Sequence, residues 1–586
     1  MEQKHYYTDE KNAQIVIALL KAHGIKRVIA SPGTTHMAFL GSIQYDPWFE
    51  IWSAIDERHA AYMAVGMAAE TREPVVLTCT GATASRNYFP ALTEAYYRKL
   101  PILALTASQL ASHNGNLYSQ MIDRSEQPKD TVKYSLACPP VENEREFKEC
   151  ELAVNKAILE LFRHGGGVVH INLEAAYSPH FTTEELPPVR VIRRYFVDDV
   201  LPEIPAHAKI AVFIANHKPF SNRQKKALDG FLLSHNAVAL CTATSSWIGA
   251  RKVVGSLVCA QGIKKNPRYA DLHPDLVIFI GDACNDYPML RYLSGLSPTW
   301  YVSVEGEARD RFETLEKVFE MPETYFFEHY SNDIHESDSL FKAWMAADMF
   351  VRSKIPELPF SNLWIAQQTI PKLPKDAVLH IGLSTSLQSW TAFLHESTVM
   401  TYCNEGGCGI DGCVSTLIGA SLADTQKMFY GVVGDLTFFY DLNSLGNRHV
   451  SNNFRLMVVN NGCGSLFHTS GYPLEQFTEE LDDYMAAGGH FGRRSPVLVK
   501  HYACDLGFKY LSASCKEEFL KNLDAFCSVD SDKPIIFENF VDTSDDRTAW
   551  GLRTSIDNYV APKTLKGEIK KMMPQRVKNA IRGFMQ

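Results

Sequence analysis

Short, largely apolar runs recur along the first third of the chain, separated by stretches long enough for one helix. They cover residues 28–30, 51–55, 75–79 and 102–105. Apolar runs of this length without polar alternation are typical of strands that are buried on both faces. Helices between such strands predict a parallel, doubly wound sheet, so we predict an α/β fold.

The same rhythm returns twice further along the chain. A second segment carries apolar runs at 210–214 and 276–280, and a third carries them at 429–433 and 455–459. Paired prolines interrupt the pattern between the segments, first at Pro187-Pro188 and later around Pro356, and mark domain boundaries. We therefore predict three doubly wound parallel-sheet domains followed by a tail: residues 1–185, 190–352, 358–560 and 561–586.

The tail at 561–586 is basic, with seven Lys or Arg residues against the single acid Glu568. Its apolar residues recur at helical spacing, a pattern that also suits a membrane surface or an acidic partner. Pro574 interrupts the pattern, so we interpret the tail as a solvated terminal helix on the subunit surface.

Composition narrows the class of protein. The 586 residues carry a net charge of −9, which argues against a nucleic-acid binder, because such proteins present a basic surface. No long apolar stretch follows the first five residues, and no run of about 18 apolar residues occurs, so we expect neither a secretory signal nor a membrane span. The 13 cysteines are scattered and odd in number, which is typical of reduced thiols. We expect a cytoplasmic protein.

Polar residues end two neighbouring strands of the third segment. Gly434-Asp435 follows the run at 429–433, Asn460-Asn461 follows the next run, and a helix is predicted to begin near 441–445 between them. Parallel neighbours place both polar ends at one crevice, where open α/β sheets bind ligands. Asp435 and Asn461, 26 positions apart, offer two hard oxygen ligands that suit Mg²⁺ holding a diphosphate.

Gly-Asp followed by Asn-Asn at this spacing resembles the thiamine-diphosphate motif. Asn404-Glu405-Gly406-Gly407-Cys408-Gly409-Ile410-Asp411-Gly412 and Gly434-Asp435-Leu436-Thr437 are similar to segments of the menaquinone-pathway SEPHCHC synthase (MenD) family. The resemblance extends to the N-terminal third, through Ser31-Pro32-Gly33 and Asp56-Glu57-Arg58. It implies the thiamine-diphosphate-binding fold, in which the three domains are pyrimidine-binding, middle and diphosphate-binding.

The resemblance also implies which residues bind the cofactor. Mg²⁺ is expected on Asp435, on Asn461 and on the backbone oxygen of Cys463. Phosphate oxygens are expected near Thr437. The remaining cofactor-binding residues implied by the resemblance are Gly434, Gly464, Ser384 and Ile410, the last as the bulky apolar residue beneath the bent cofactor.

Glu57 is our candidate for the carboxylate that binds nitrogen N1′ of the aminopyrimidine and favours its imino tautomer. It ends a predicted strand and precedes Ala60 and Ala61, small residues that allow a helix to pack closely. Gln120 matches the active-site glutamine of the family. In such enzymes the glutamate domain of one subunit faces the diphosphate domain of another, so the resemblance implies a dimer at least.

Four positions depart from the family and bear on the substrates. Arginines that bind substrate carboxylates in the family are replaced here by Thr35, Gln109, Gln388 and Glu405. A bidentate contact between arginine and carboxylate is not reproduced by Gln or Glu. We expect a thiamine-diphosphate- and Mg²⁺-dependent enzyme that decarboxylates a 2-oxo acid smaller than 2-oxoglutarate, such as pyruvate. It would then transfer the acyl anion equivalent to a carbonyl or enoyl acceptor.

Other interpretations stay open at this point. The protein would be a simple 2-oxo acid decarboxylase if the intermediate were protonated and released as an aldehyde, with His36, His59 or His113 as candidate proton donors. It would be a family member with unchanged substrates if the pocket were built in another way. A non-catalytic scaffold subunit is the interpretation from another class of function, and the retained Glu57 and Asp435 argue against it.

Overall fold

The computed structural model describes residues 6–124, 126–331, 337–395, 397–468, 477, 480–491 and 494–557. The chain forms two compact units. The first holds the chain up to Pro202 together with Thr299–Pro322, and the second holds Glu203–Pro298 together with the chain from Glu323 onwards. The predicted basic tail at 561–586 lies outside the described residues.

Strands and helices alternate along most of the chain. The strands are β1 (Tyr7–Thr8), β2 (Arg27–Ala30), β3 (Glu50–Ser53), β4 (Val75–Cys79), β5 (Ile102–Ser108), β6 (Tyr134–Cys138), β7 (Val169–Glu174), β8 (Phe181–Thr183), β9 (Arg193–Phe196), β10 (Ile210–Ile214), β11 (Ala237–Cys241), β12 (Lys252–Val253), β13 (Leu276–Ile280), β14 (Thr299–Ser303), β15 (Leu315–Glu320), β16 (Val378–Ile381), β17 (Met400–Tyr402), β18 (Phe429–Gly434), β19 (Phe454–Asn460), β20 (Lys509–Ala513) and β21 (Ile535–Phe540).

The α-helices between them vary from one turn to nearly five. They are α1 (Lys11–Ala22), α2 (Met37–Ile43), α3 (Glu57–Thr71), α4 (Thr83–Arg86), α5 (Phe89–Tyr97), α6 (Glu144–Glu160), α7 (Asn222–Ser234), α8 (Ser256–Cys259), α9 (Tyr287–Leu293), α10 (Glu323–Tyr330), α11 (Ser339–Ser353), α12 (Asn362–Thr369), α13 (Thr385–Thr391), α14 (Cys413–Ala423), α15 (Asp435–Tyr440), α16 (Leu481–Tyr484), α17 (Leu498–Asp505), α18 (Lys516–Cys527) and α19 (Thr543–Thr554).

The first unit is built on a parallel sheet of six strands in the order β3-β2-β4-β5-β7-β6. Helices α1 and α6 bury apolar residues such as Ile15 and Ile158 against one face. Helices α3 and α5 pack on the other face through small residues, among them Ala64 and Ala95. Helices on both faces explain why these strands are apolar throughout.

Residues 299–322 join the first unit although they are far from it in sequence. Strands β14, β15 and β9 pair in parallel. Arg190 donates from Nη1 to Asp310 Oδ2 at 2.6 Å, and Arg194 forms an ion pair with Glu320. These contacts link the segment that precedes β9 to the segment around β15.

The second unit holds two parallel sheets. Strands of the first run in the order β12-β11-β10-β13, and those of the second in the order β17-β16-β18-β19-β21-β20. Residues such as Val414, Leu417 and Phe438 pack against one face of the six-stranded sheet. Parallel sheets covered by helices confirm the predicted α/β fold class, whereas the predicted domain boundaries stay predictions. In the described ranges, no helix combines the length and the apolar character that crossing a bilayer needs.

Candidate active site

Asp435 lies where β18 passes directly into α15. Gly434 is the N-cap of that helix, so the helix begins at Asp435 and not near 441–445 as the sequence predicted. At the predicted helix start, the Asp441 carboxylate instead accepts hydrogen bonds from the backbone N–H and the hydroxyl of Ser415, at 2.5 and 2.6 Å. Asp441 thus ends α15, and a short 3₁₀ turn (Leu442–Gly446) follows.

The Asp435 carboxyl group is buried, with 2% of the residue exposed. Burial raises its pKa to about 7, although hydrogen bonds from the backbone N–H groups of Asp435, Leu436 and Gly462 favour the ionised form. A carboxylate in this position is poorly compensated by the protein alone. A bound cation would supply the missing positive charge.

Asn461 follows the neighbouring strand β19, which pairs with β18 in parallel. Its amide nitrogen donates to Asp546 Oδ2 on α19 at 3.0 Å, and its Oδ1 accepts from the backbone N–H of Cys463 at 3.3 Å. Gly462, between them, has a φ of +74°, which a side chain rarely adopts, so the tight turn after the strand requires glycine.

Both strand ends open into one cavity of about 600 Å³, a size suited to a cofactor or a small ligand. Eight of the ten predicted site residues line it, all from the second unit. They are Ser384, Ile410, Gly434, Asp435, Thr437, Asn461, Cys463 and Gly464. Hard oxygen donors, backbone N–H groups and an apolar residue are thus brought together, and this set of residues fits a Mg²⁺-bound diphosphate.

Ser384 is held in a strained conformation at the cavity wall, with a φ of +70° at the N-cap of α13. A residue other than glycine in this region costs about 1–3 kcal/mol, and such residues cluster at functional sites. The strain lies beside the predicted cofactor position.

Glu57 and Gln120 belong to the first unit. Glu57 is the first residue of α3, half-buried, and its Oε2 accepts a hydrogen bond from the Asn87 amide at 3.3 Å. The Asp56 side chain caps the same helix by accepting from the backbone N–H groups of Arg58 and His59. Gln120 is exposed and has a φ of +63°.

The three histidines considered as proton donors also lie in the first unit, in different surroundings. His36 is buried, its Nδ1 lies 3.0 Å from the Thr78 hydroxyl, and burial lowers its pKa to about 4. His113 stacks on Tyr118 with ring centroids 3.9 Å apart, and His59 is exposed. At neutral pH His36 is therefore uncharged and serves poorly as an acid.

Two of the positions that depart from the family lie in the second unit. Gln388, on α13, is buried and lines the cavity. Glu405 is also buried, and its carboxylate is engaged within the protein, because it accepts from the Thr244 hydroxyl at 2.5 Å and from the Asn285 backbone N–H at 2.6 Å. Burial raises the pKa of Glu405 despite these hydrogen bonds.

Sequence reasoning missed one wall of the cavity. This wall comes from α9 and α19, through Tyr287, Arg291, Trp550 and Arg553. Helix α9 follows β13, which ends at Ile280 just before Gly281-Asp282, in a segment that carries no motif. Only the position of α9 after a strand end could have signalled a ligand-facing role.

Comparison with known proteins agrees with this geometry. Residues 10–127 match the family model of the thiamine pyrophosphate enzyme N-terminal TPP-binding domain. The 2-succinyl-5-enolpyruvyl-6-hydroxy-3-cyclohexene-1-carboxylate synthase of Bacteroides fragilis is 30% identical over 485 residues, 79% of this chain and 85% of that protein.

Two further relatives carry the same name. The synthase of Bacteroides thetaiotaomicron is 29% identical and that of Christiangramia forsetii 28%, each over at least 90% of this chain and 95% of the relative. The resemblance read from the motifs is thus confirmed over nearly the whole chain. The chain belongs to the 2-succinyl-5-enolpyruvyl-6-hydroxy-3-cyclohexene-1-carboxylate synthase (MenD) family and is a thiamine-diphosphate- and Mg²⁺-dependent carboligase of the MenD type.

Proposed function

We propose that this enzyme decarboxylates a 2-oxo acid and transfers the acyl unit to a carbonyl or enoyl acceptor, with substrates that differ from those of its named relatives. The observation that carries the proposal is the single cavity that gathers Asp435, Asn461 and Cys463 beside Gln388. The cofactor-binding residues of the family are retained there, while a family arginine is absent from the wall.

The residues of the second unit have distinct roles in this proposal. Asp435 and Asn461 bind Mg²⁺ through side-chain oxygens, and Cys463 binds it through its backbone oxygen. Thr437 and the backbone N–H groups near Gly464 hold the diphosphate. The hydrogen bond from Asn461 to Asp546 supports this assignment, because it fixes the orientation of the amide.

Thiamine diphosphate, when bound, supplies the electron sink that allows a 2-oxo acid to lose CO₂. Glu57 accepts the N1′ hydrogen bond and so fixes the tautomer of the aminopyrimidine, and Gln120 orients the substrate. Ile410, which lines the cavity, would contact the bound cofactor through its apolar side chain. Because Glu57 lies in the first unit, we propose that it acts on the cavity of a second copy of the chain, in a cytoplasmic homodimer or tetramer.

Substrate recognition is the part that has changed. Gln388 offers an amide where the family has an arginine, and Glu405 is engaged by Thr244 and Asn285. Neither residue supplies the positive charge with which an arginine binds a carboxylate. Pyruvate, which lacks a distal carboxylate, is therefore the first donor to test.

A product assay tests this function. The protein is incubated with thiamine diphosphate, Mg²⁺ and either pyruvate or 2-oxoglutarate, with and without an aldehyde acceptor. We expect cofactor-dependent CO₂ release and, with acceptor present, a ligation product in place of free aldehyde. Free aldehyde at an unchanged yield would identify a simple decarboxylase. Calorimetry that detected no binding of thiamine diphosphate would identify a scaffold subunit and refute the proposal.

A further inference from the structure

Arg553 lies near the C-terminal end of α19 with only 3% of its surface exposed. Its guanidinium carbon lies 4.6 Å from the centroid of the Trp550 ring, and both residues line the cavity. Its Nε and Nη1 are buried without a hydrogen-bond partner among the described residues. Buried donors are nearly always paired, so these two groups call for a ligand.

The Asp286 carboxyl group acts on Arg553 through its charge but, among the described residues, makes no hydrogen bond to its Nε or Nη1. Asp286 is buried, and its Oδ1 accepts from the Met289 backbone N–H at 3.2 Å, while its Oδ2 has no hydrogen-bond partner in the described part of the chain. Burial lowers the pKa of Arg553 to about 10, and the charge of Asp286 only partly opposes this change. The guanidinium therefore remains charged at neutral pH, and no carboxylate of the described residues bonds to its Nε or Nη1.

A second arginine lines the same wall. Arg291 projects from α9 and is exposed, and its positive charge acts on Arg553 in the same direction as burial, by lowering its pKa. Two arginines on one cavity wall repel each other unless an anion lies between them. Their planar donor groups match the geometry of a carboxylate.

The position of this wall separates it from the Mg²⁺ residues. Asp546 and Arg553 are both on α19, and the Asp546 carboxylate accepts from Asn461. Seven residues of helix correspond to about 10 Å, so Asp546 and Arg553 lie about two turns apart along α19.

We propose that Arg553 and Arg291 form a carboxylate-binding subsite for a second carboxylate of the substrates, on either the donor or the acceptor. The inference rests on the proposed function for the identity of the bound molecules. In this proposal the subsite takes the place of the family arginines whose positions are occupied here by Gln388 and Glu405. The proposal therefore predicts that the donor or the acceptor carries a second carboxylate, which the loss of those arginines alone would not predict.

Binding of succinate, with neutral succinamide as the comparison, tests the subsite independently of turnover. Calorimetry is performed on the full-length protein with and without thiamine diphosphate and Mg²⁺. We expect succinate to bind more tightly than succinamide. We also expect Arg291→Gln to lower the affinity for succinate at least about tenfold. Arg553→Lys, which keeps the charge but loses the planar fork, should weaken it as well. Arg223→Gln is the control, because Arg223 is exposed and paired with Glu328, and this variant should bind succinate as tightly as the unmodified protein.

The outcomes are distinguishable. Succinate affinity unchanged in both the Arg291→Gln and Arg553→Lys proteins would overturn the subsite, even if the enzyme turns over. Because Arg291 is exposed, its variant should fold, and circular dichroism checks this. Arginine-dependent succinate binding in a protein that fails to bind thiamine diphosphate would retain the subsite and refute the proposed function.

Kinetics then identify the source of the carboxylate. If it belongs to the donor, Arg291→Gln lowers kcat/KM for 2-oxoglutarate but not for pyruvate. If it belongs to the acceptor, the variant raises KM for succinic semialdehyde but not for acetaldehyde, with pyruvate as donor. Equal effects on charged and uncharged substrates would contradict the subsite.

Discussion

Glu57→Gln is expected to lower the rate of CO₂ release by about 10² to 10⁴-fold, the range typical of a lost proton-handling group. An amide retains the size of the side chain but cannot stabilise positive character at N1′. The half-buried Glu57 makes a hydrogen bond with Asn87 that glutamine can also accept, so thermal unfolding should stay unchanged. Initial rates at saturating cofactor measure the effect.

Glu70→Gln provides the matched control, because Glu70 is on the same helix α3 and is exposed. Its rate should equal that of the unmodified enzyme. If Glu57→Gln retained more than about a tenth of the rate, the assignment of Glu57 would be wrong.

Asp435→Asn is expected to reduce the affinity for Mg²⁺ and thiamine diphosphate at least about a hundredfold. Loss of a residue that only hydrogen-bonds to a metal ligand typically lowers metal affinity about 10- to 100-fold. In Asp435→Asn the proposed ligand itself loses its charge, so we expect a larger effect. Without cofactor, the variant should be at least as stable as the unmodified protein, because a buried carboxyl group is replaced by a neutral amide. Calorimetric titration and thermal unfolding measure the two quantities.

Asp424→Asn is the control for this experiment. Asp424 lies before β18, at the other end of the strand that leads to Asp435, and pairs with Lys427 at 3.0 Å. Cofactor affinity should be unaffected in this variant. Unchanged affinity in Asp435→Asn would refute the metal site, whereas lower stability without cofactor would refute only the argument from burial.

The meeting of Asp435 and Asn461 at one cavity could be predicted from sequence because it depends on strand ends. Asp435 and Asn461 each follow an apolar run, and parallel pairing of β18 and β19 necessarily brings the two ends together. The start of α15 could not be predicted in the same way. The helix begins directly after β18, with Gly434 as its N-cap, and no side-chain cap of the kind that sequence patterns reveal marks this start.

The cavity wall formed by α9 and α19 was beyond prediction for a related reason. Arg291 and Arg553 come from helices 262 positions apart, and neither belongs to a motif. Only packing places them on one cavity wall. Likewise, the sequence identified Glu405 as a departure, but its internal role depends on Thr244 and Asn285, which the sequence does not connect with it.

The association of residues 299–322 with the first unit illustrates the same limit. The ion pair between Arg190 and Asp310 joins residues 120 positions apart, and no periodicity in the sequence indicates it. The predicted middle domain at 190–352 was drawn from its apolar runs and from the prolines on either side of it. Tertiary contacts of this kind decide how segments group in space.

The proposal that Glu57 of one subunit serves the Asp435 cavity of another is tested most directly by a mixed dimer of Glu57→Gln and Asp435→Asn chains. Co-expression with two different tags allows purification of the mixed species. One of its two sites would carry both substitutions and the other neither. We predict about half the activity of the unmodified dimer, although each variant alone is nearly inactive. A mixed dimer no more active than the variants would show that both residues act within one chain, or that they do not share a site.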